Sequence, residues 1–302
     1  MILSIGEILF DHFPDYQRVG GAPFNFSCHL KKLGFPVRLV TRVGDDPEGR
    51  ELKTLLLEYG FDEGDLQVDQ KHRTGMVNVS VDGAGVPVFD IVPDVAFDHL
   101  EADEAVRSIL DQGPGLIYYG TLIQRTSQGR GFMQNVFSYA KENVRFLCDL
   151  NLRPRCYLPE VVEESLARAD VLKLNEEEMA AIISLLGESY PVDDQCRYIM
   201  DRYGIELLAL TRGEKGSEIH DQEGSFSIGP VEGLVVEDTV GAGDAYASIL
   251  AIGYLGGWHP ERILPVASRF SAEICGVKGA LPDTDLFYSE YLKLTGDNDI
   301  GE

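Results

Sequence analysis

Hydrophobic residues along the chain follow two different periods. Short apolar runs at Leu39–Val43, Leu116–Gly120 and Leu207–Thr211 predict buried strands. Elsewhere, apolar residues recur every three or four positions, as in the run that begins at Leu52, and this spacing predicts helices with one buried face. Strands that alternate with helices are typical of a parallel sheet covered by helices, so we expect an α/β fold.

Between Thr74 and Ile91 the hydrophobic period changes to two. Valines fill alternate positions on both sides of the sequence Asp82-Gly83-Ala84-Gly85. Two alternating runs joined by a glycine-containing turn predict a β-hairpin. The hairpin interrupts the strand–helix alternation, so it is either an addition to a sheet edge or a separate functional element.

The amino terminus predicts a first strand from about Ile2 to Phe10, which ends at Asp11. In an open parallel sheet, ligands bind beyond the carboxyl ends of the strands. The carboxylate of Asp11 is therefore a candidate acceptor of hydrogen bonds from a polyol. The alternative is an ordinary loop acid.

The segment Gly20-Gly21-Ala22-Pro23-Phe24-Asn25 precedes the next predicted helix. Pro23 suits the first turn of a helix. The two glycines allow the backbone to approach a ligand closely, and Asn25 offers both a donor and an acceptor. This segment is therefore a candidate for binding a ligand.

Composition and charge narrow the choice of partners. The chain has 302 residues, and 44% of them are apolar, which is ample for a core. With 50 acidic and 26 basic residues the net charge is −24, which argues against nucleic acid and anionic membranes as partners. No apolar run approaches membrane-spanning length, and the amino terminus lacks the basic region of a signal peptide. We expect a cytoplasmic protein.

The cysteines also indicate a cytoplasmic protein, and the histidines bear on metal binding. The five cysteines are odd in number and form no C-x-x-C pair, which indicates reduced thiols in the core. The six histidines are scattered, without H-x-x-x-H or mixed Cys/His spacing. This pattern argues against a zinc site.

The stretch from Asp238 to Tyr246 carries the clearest chemistry. An apolar run with helical spacing follows it, so a helix should begin near Gly243. Unpaired N–H groups and the helix dipole at such a start bind an anion such as phosphate. Asp244 lies in the same turn, where a phosphoryl-transfer enzyme needs a base to take a proton from the attacking hydroxyl. An acid in a first helical turn is also common for purely structural reasons.

These nine residues resemble the signature D-T-x-G-A-G-D-x-F of the ribokinase-like, or PfkB, family of carbohydrate kinases, with Tyr246 for the usual Phe. Further family motifs follow the family order: G-E-x-L-x-D from Gly6, G-G-x-x-x-N from Gly20, D-x-N-x-R from Asp149, N-x-x-E from Asn175 and T-x-G-x-x-G from Thr211. The resemblance covers essentially the whole chain. It implies one kinase domain over residues 1–302, with a three-layer α/β/α fold, a mainly parallel central sheet and a small β-strand lid formed by segments 12–20 and 72–97.

The resemblance also implies a reaction and its residues. The reaction is ATP-dependent phosphorylation of a sugar hydroxymethyl group, with Mg²⁺ as cofactor. The catalytic turn would consist of Gly241, Ala242, Gly243 and the base Asp244. The sugar and the phosphates would be bound by Asp11, Gly20, Gly21, Asn25, Asn151 and Arg153. The nucleotide would lie against Thr211, Gly213, Gly216 and Gly279.

Metal ions are the last part of this implied site. Asn175 and Glu178 would organise Mg²⁺, partly through water, since Mg²⁺ keeps several waters when bound. The alternative for this pair is a capping box at a helix start. Asp238 would lie near a monovalent cation such as K⁺. Arg153 would meet the transferred phosphate or, alternatively, pair with a local acid.

The substrate prediction depends on Ala22, Pro23 and Phe24. Relatives that bind sugar phosphates tend to have a lysine in this segment, so its absence favours a neutral sugar. The same three residues resemble fructokinases, which makes fructose the first candidate, ahead of ribose, 2-keto-3-deoxygluconate and a nucleoside. The resemblance also leaves open a homodimer formed through the lid.

Two other classes of protein remain as alternatives. A dinucleotide-dependent oxidoreductase requires G-x-G-x-x-G after the first strand, and Gly6-Glu7-Ile8-Leu9 lacks this motif. A sugar-binding regulator with the same fold would not need Asp244 or the pair Asn175 and Glu178. The presence of these residues favours the enzyme.

Overall fold

The computed structural model describes residues 1–81, 87–187, 191 and 194–295. The strands are β1 (Ile2–Ile5), β2 (Leu9–His12), β3 (Gln17–Gly20), β4 (Val37–Gly44), β5 (Leu66–Asp69), β6 (Gly75–Val81), β7 (Pro87–Ile91), β8 (Leu116–Tyr119), β9 (Arg145–Asp149), β10 (Val171–Asn175), β11 (Leu207–Thr211), β12 (Ser217–His220) and β13 (Ser225–Ile228). The α-helices are α1 (Ala22–Lys32), α2 (Pro47–Glu58), α3 (Glu104–Gln112), α4 (Ser127–Tyr139), α5 (Pro159–Arg168), α6 (Glu176–Leu185), α7 (Gln195–Tyr203), α8 (Ala242–Leu255), α9 (Pro260–Ile274) and α10 (Ser289–Thr295).

Nine strands form a large sheet in the order β13-β12-β11-β10-β9-β8-β1-β4-β5. Neighbouring strands from β11 to β5 run parallel, whereas β12 and β13 add an antiparallel edge. Apolar residues of α3 to α7 pack with Leu3 and Ile5 of β1 into one core. Those of α1, α2, α8 and α9 pack with Ile2 into a second core on the opposite face. This is the predicted three-layer α/β/α fold with a mainly parallel sheet.

A second sheet of four strands has the order β3-β2-β6-β7, and we call it the small sheet. Strands β6 and β7 are antiparallel, which confirms the predicted hairpin, although its predicted turn at 82–85 lies outside the described residues. Strand β2 pairs with β3 on one side and with β6 on the other. The two segments that we expected to form the lid are therefore joined in one sheet.

The predicted first strand from Ile2 to Phe10 is wrong, because two strands in two different sheets take its place. β1 ends at Ile5, the chain turns at Gly6 (φ 151°), and β2 then begins in the small sheet. Asp11 consequently lies inside β2, opposite Arg18 of β3, and not at the carboxyl end of a strand of the large sheet.

The chain passes between the two sheets through four short connections, at residues 6–8, at Gly21, at residues 70–74 and at residues 92–95. The first two lie side by side, since Gly21 has φ 114° and a side chain there would collide with the carbonyl oxygen of Glu7. The other two are also adjacent, because the amide of Ala96 donates to the carbonyl of Arg73 (2.8 Å). The sheets are therefore joined in two places.

Some other predictions need correction. From Pro260 onward the sequence pattern predicts one last helix, whereas the structure has two, α9 and α10. All five cysteines are free; three are buried and the other two, Cys156 and Cys275, are only partly buried. None of the helices in the described ranges is long and apolar enough to cross a bilayer.

Candidate active site

A large cleft lies where the small sheet faces the carboxyl ends of strands in the large sheet. Its volume is about 1320 Å³, which exceeds the roughly 300–1,000 Å³ of a typical small-molecule pocket and leaves room for two ligands. The predicted site residues that line it are Asp11, Gly20, Gly21, Asn25, Asn151, Arg153, Asn175, Glu178, Thr211, Gly213, Gly216, Gly241, Ala242, Gly243, Asp244 and Gly279. Asp238 alone among the predictions is not part of the lining.

Helix α8 begins at this cleft without a side-chain cap. Its N-cap residue is Gly241, with φ 79°. The first hydrogen bond of the helix runs from the amide of Ala245 to the carbonyl of Gly241 (2.9 Å). Within the described residues, the amides of Gly243 and Asp244 have no acceptor. This helix start supplies the donors that an anion requires.

The carboxylate of Asp244 is buried in the first turn of α8. Its Oδ2 accepts a hydrogen bond from Nδ2 of Asn25 (2.8 Å). Burial, together with the negative charge of Asp149, raises the pKa of Asp244 to about 7, although Asn25 and nearby cations oppose the shift. A carboxylate with a pKa near neutrality is well suited to accept a proton from a substrate.

The other end of the Asn25 amide has no partner among the described residues. Its Oδ1 is buried and accepts no hydrogen bond from them. Buried acceptors without a donor are rare because they lose hydration without compensation. Because Nδ2 of the same amide is held by Asp244, Oδ1 is the atom that a hydroxyl of a bound ligand fits.

Lys173 and Asp149 form an ion pair beneath the start of α8, which the sequence analysis missed. Nζ of Lys173 donates to Oδ1 of Asp149 (2.9 Å), and the hydroxyl of Tyr118 donates to Oδ2 (3.1 Å). A Cβ at Gly243 would lie 2.8 Å from Nζ of Lys173, so a side chain there would displace the ammonium group. A lysine inside the apolar strand Val171–Asn175 was the signal that could have identified this pair.

Glu7 is a second buried carboxylate that the sequence analysis left unassigned. It lies two residues after the end of β1 and lines the cleft. Burial raises its pKa to about 7, with the charge of Asp244 acting in the same direction and that of Arg153 against it. The signal was an acid placed just after an apolar strand, at the end of the sheet where ligands bind.

Asp11 and Arg153 both lie in the cleft with their side chains available. Within the described part of the chain, neither side chain makes a hydrogen bond or an ion pair. Burial raises the pKa of Asp11 to about 6, although the positive charges of Arg153 and Arg18 lower it. Within the described residues, Arg153 therefore does not form the ion pair with a local acid that we considered as an alternative.

Asn175 and Glu178 form the capping box that we weighed against a metal role. Oδ1 of Asn175 accepts from the amide of Glu178, and Oε2 of Glu178 accepts from the amide of Asn175, both at 2.9 Å. Oε1 of Glu178 also accepts from the amide of Leu152 (2.8 Å). Because both carboxylate oxygens bind backbone N–H groups, any contact of Glu178 with Mg²⁺ is more easily made through water.

Asp238 is held by the small sheet and by the end of the cleft. Its Oδ2 accepts from Nη1 of Arg18 (2.8 Å) and from the amide of Gly279 (3.1 Å), and its Oδ1 accepts from the amide of Val240 (3.1 Å). Arg18 therefore supplies a positive charge next to Asp238, where we expected a monovalent cation.

Arg42, Arg125 and Arg155 lie in or after predicted strands or motifs but outside the lining of the cleft, so they are not placed to bind a sugar phosphate there. Arg42 pairs with Asp69, and Arg125 pairs with Asp98. Arg155 has φ 65° and is exposed. Arg18 and Arg153 are the arginines that line the cleft within the described ranges.

Comparisons with known proteins agree with this geometry. The sequence model of the pfkB family carbohydrate kinases matches residues 15–285. A putative sugar kinase of Pyrococcus horikoshii is 29% identical over 277 residues, which cover 84% of this chain and 83% of that protein. A fructokinase of Klebsiella pneumoniae is 28% identical over 308 residues, which cover 97% and 98%. The crystal structure of the Pyrococcus horikoshii sugar kinase in complex with ATP superposes with a TM-score of 0.81 at 25% identity, covering 98% of this chain and 100% of that one.

Proposed function

The chain belongs to the PfkB family of carbohydrate kinases, and from that premise we propose that it transfers the γ-phosphoryl group of ATP to a hydroxymethyl group of a neutral sugar. The observation that carries this proposal is Asp244 at the uncapped start of α8. One short segment there combines free amides for a phosphoryl group with a carboxylate whose pKa, near 7, suits a base.

In the proposed reaction, a sugar hydroxyl donates its proton to Asp244 while its oxygen forms a bond to the γ-phosphorus. The bond between this phosphorus and the oxygen bridging to the β-phosphate breaks, and ADP leaves. The free amides of Gly243 and Asp244 stabilise the negative charge of the transferred group. Arg153 lies in the same cleft and adds a positive charge. Mg²⁺, organised through Asn175 and Glu178, would neutralise charge on the nucleotide phosphates.

The sugar is proposed to bind between the small sheet and α1. In the described part of the chain, the carboxylate of Asp11 has no partner, and Oδ1 of Asn25 remains as an acceptor for hydroxyl groups. Residues of β11 and the region of Gly279 line the other part of the cleft, where the nucleotide would bind. Asn25 would therefore contact the sugar through Oδ1 while its Nδ2 holds the base Asp244 in place.

We expect the cleft to prefer an uncharged sugar. A phosphate near Asp11 and the buried Glu7 would meet carboxylates, and burying unpaired like charges is costly. The measurement is the ratio of kcat/KM for fructose to that for fructose 1-phosphate and fructose 6-phosphate. Asp11→Asn should raise the KM for fructose and narrow this ratio, whereas the exposed Asp15→Asn in the same segment should leave both unchanged. If a phosphorylated sugar has the higher kcat/KM, Arg18 or Arg153 binds the sugar phosphate and the neutral-sugar assignment is wrong.

Fructose is the first candidate substrate, because the segment Ala22-Pro23-Phe24 resembles fructokinases and a fructokinase is among the relatives. Ribose, 2-keto-3-deoxygluconate and nucleosides are the alternatives. An ADP-release assay with each sugar at several concentrations tests both the activity and the choice. A sugar-binding regulator would bind a sugar without releasing ADP, and that result would overturn the kinase proposal for this chain.

A further inference from the structure

Two histidines and an aspartate meet outside the cleft, beside the second place where the sheets are joined. His72 lies between β5 and β6, whereas Asp94 and His99 lie after β7. One potential ligand atom from each of them lies within 4.8 Å of the others. The two imidazole rings are stacked, with their centroids 3.5 Å apart and their planes at 10°. The long separation in sequence explains why the histidine spacing gave no sign of this cluster.

The distances within the cluster are close to those of metal ligands. Oδ1 of Asp94 lies 2.8 Å from Nε2 of His99 and 3.7 Å from Nε2 of His72. Ligands bound tetrahedrally at about 2.0–2.1 Å from a zinc ion are about 3.4 Å apart. The three atoms could enter the coordination shell of one ion once the stacked rings rotate apart, because each Nε2 lone pair lies in the plane of its own ring and the two planes are now nearly parallel.

Both histidines are oriented by a second hydrogen bond on the opposite side of the ring. Nδ1 of His72 lies 3.1 Å from Oδ2 of Asp69, and Nδ1 of His99 lies 2.9 Å from Oε1 of Gln128. Asp69 is buried and paired with Arg42, so its carboxylate is charged and accepts hydrogen bonds only. The Nδ1 side of each ring is therefore occupied, and Nε2 is the atom of each ring that faces Asp94. Histidines that bind metals are held in this way by outer acceptors.

A simple ion pair explains only half of this arrangement. A protonated His99 would satisfy Asp94 at 2.8 Å without any metal. Nε2 of His72 gains nothing from that pair, since its lone pair faces the carboxylate of Asp94 at 3.7 Å and has no donor within the described residues. A cation between these two groups would bind both of them.

We propose that His72, Asp94 and His99 bind a zinc-type divalent transition metal ion, with solvent as the fourth ligand. Two imidazoles and one carboxylate suit Zn²⁺, Co²⁺ and Ni²⁺, and they disfavour Mg²⁺, which prefers oxygen ligands. Asp94 and His99 are partly exposed, so the ion can enter from solvent. This site is separate from the cleft, and its ion would link the two adjacent connections at 70–74 and 92–95.

Direct titration of the metal-free full-length chain tests the proposal. Zn²⁺ affinity is measured by competition with a chromophoric indicator, and Co²⁺ serves as a spectroscopic probe, because four-coordinate Co²⁺ absorbs visible light strongly. We expect one ion per chain. Asp94→Asn and His99→Asn should each weaken binding at least tenfold, and Gln128→Ala should weaken it by roughly 10- to 100-fold through the orientation of His99. Asparagine tolerates the positive φ of position 94 (55°), so Asp94→Asn should fold normally.

The matched control is His259→Asn. His259 is also flanked by two carboxylates, at 3.5 and 3.7 Å, but it has no second histidine beside it in the described residues. Its substitution should leave the affinity and the Co²⁺ spectrum unchanged. Zn²⁺ binding that is equal in the unmodified chain, Asp94→Asn and His99→Asn would place the ion elsewhere and overturn the proposal. A failure of the unmodified chain to bind Zn²⁺ or Co²⁺ would do the same.

Discussion

At the scale of single residues, Asp244 is the most informative side chain. Asp244→Asn removes the proposed proton acceptor but keeps an oxygen to accept from Asn25. We expect turnover to fall by about 10²- to 10⁴-fold, the usual contribution of a general base, with little change in sugar or ATP affinity. Turnover measured together with direct binding of both substrates checks this. Turnover above half of the unmodified value would exclude Asp244 as the base.

The same substitution has a second, pH-dependent effect on stability. Burial raises the pKa of Asp244 from 3.8 to about 7, so the folded chain holds this proton more tightly than the unfolded chain. The group therefore stabilises the fold fully below pH 4, and this contribution is lost as the pH rises to 7. Relative to the unmodified protein, Asp244→Asn should gain stability between pH 4 and pH 7, by at most about 4 kcal/mol. Urea unfolding at pH 5 and pH 8 measures the difference, and an equal ΔΔG at both would contradict the raised pKa.

The capping box belongs to the scale of secondary-structure elements. Glu178→Gln keeps one acceptor oxygen and places an NH₂ group against a backbone amide, so α6 should lose roughly 1 kcal/mol of stability. If Glu178 also holds Mg²⁺ through water, the Mg²⁺ concentration for half-maximal activity should rise as well. The neighbouring Glu177→Gln is exposed and should change neither quantity. Lower thermal stability with an unchanged Mg²⁺ titration would assign Glu178 to the cap alone.

Most elements could be predicted from hydrophobic period, because each carries its pattern within a few residues. The strand from Ile2 to Phe10 could not be divided correctly, since Ile5, Ile8 and Leu9 continue one apolar run across the turn at Gly6. Which sheet a strand joins depends on distant partners, here β4 and β8 for β1 but β3 and β6 for β2. Local sequence contains no information about those partners.

The candidate site was predictable to a different degree. Motif residues such as Asp244 and Asn25 could be chosen from short segments, and the fold brings them within hydrogen-bond distance. Glu7 and Lys173 were missed because their importance comes from burial beside other charges. His72 and His99 were missed because the β6–β7 hairpin, which separates them in sequence, brings them back together.

At the scale of the whole molecule, Arg18 ties the small sheet to the segment that precedes α8. Its ion pair with Asp238 joins residues 220 positions apart. If this guanidinium takes the place of a monovalent cation, activity should be the same in KCl and in choline chloride of equal ionic strength. Arg18→Gln should then make activity respond to K⁺, since Asp238 loses its positive neighbour. A rate in the unmodified protein that already rises with K⁺ would show that a cation binds despite Arg18.

The four connections between the two sheets define how the molecule can deform. They occur as two adjacent pairs, one at Gly6 and Gly21 and the other at residues 70–74 and 92–95. Because these chain crossings lie at two places, the small sheet should rotate most easily about the line that joins them, and the ion pair of Arg18 with Asp238 resists that rotation. Glu7 lies at one of these places and Asn25 lies on α1, which packs against the large sheet, so a rotation moves both residues far less than the outer strand β7. A metal ion at His72, Asp94 and His99 would link the two chain segments at the other place. It would hold the rotation axis there without blocking rotation about it.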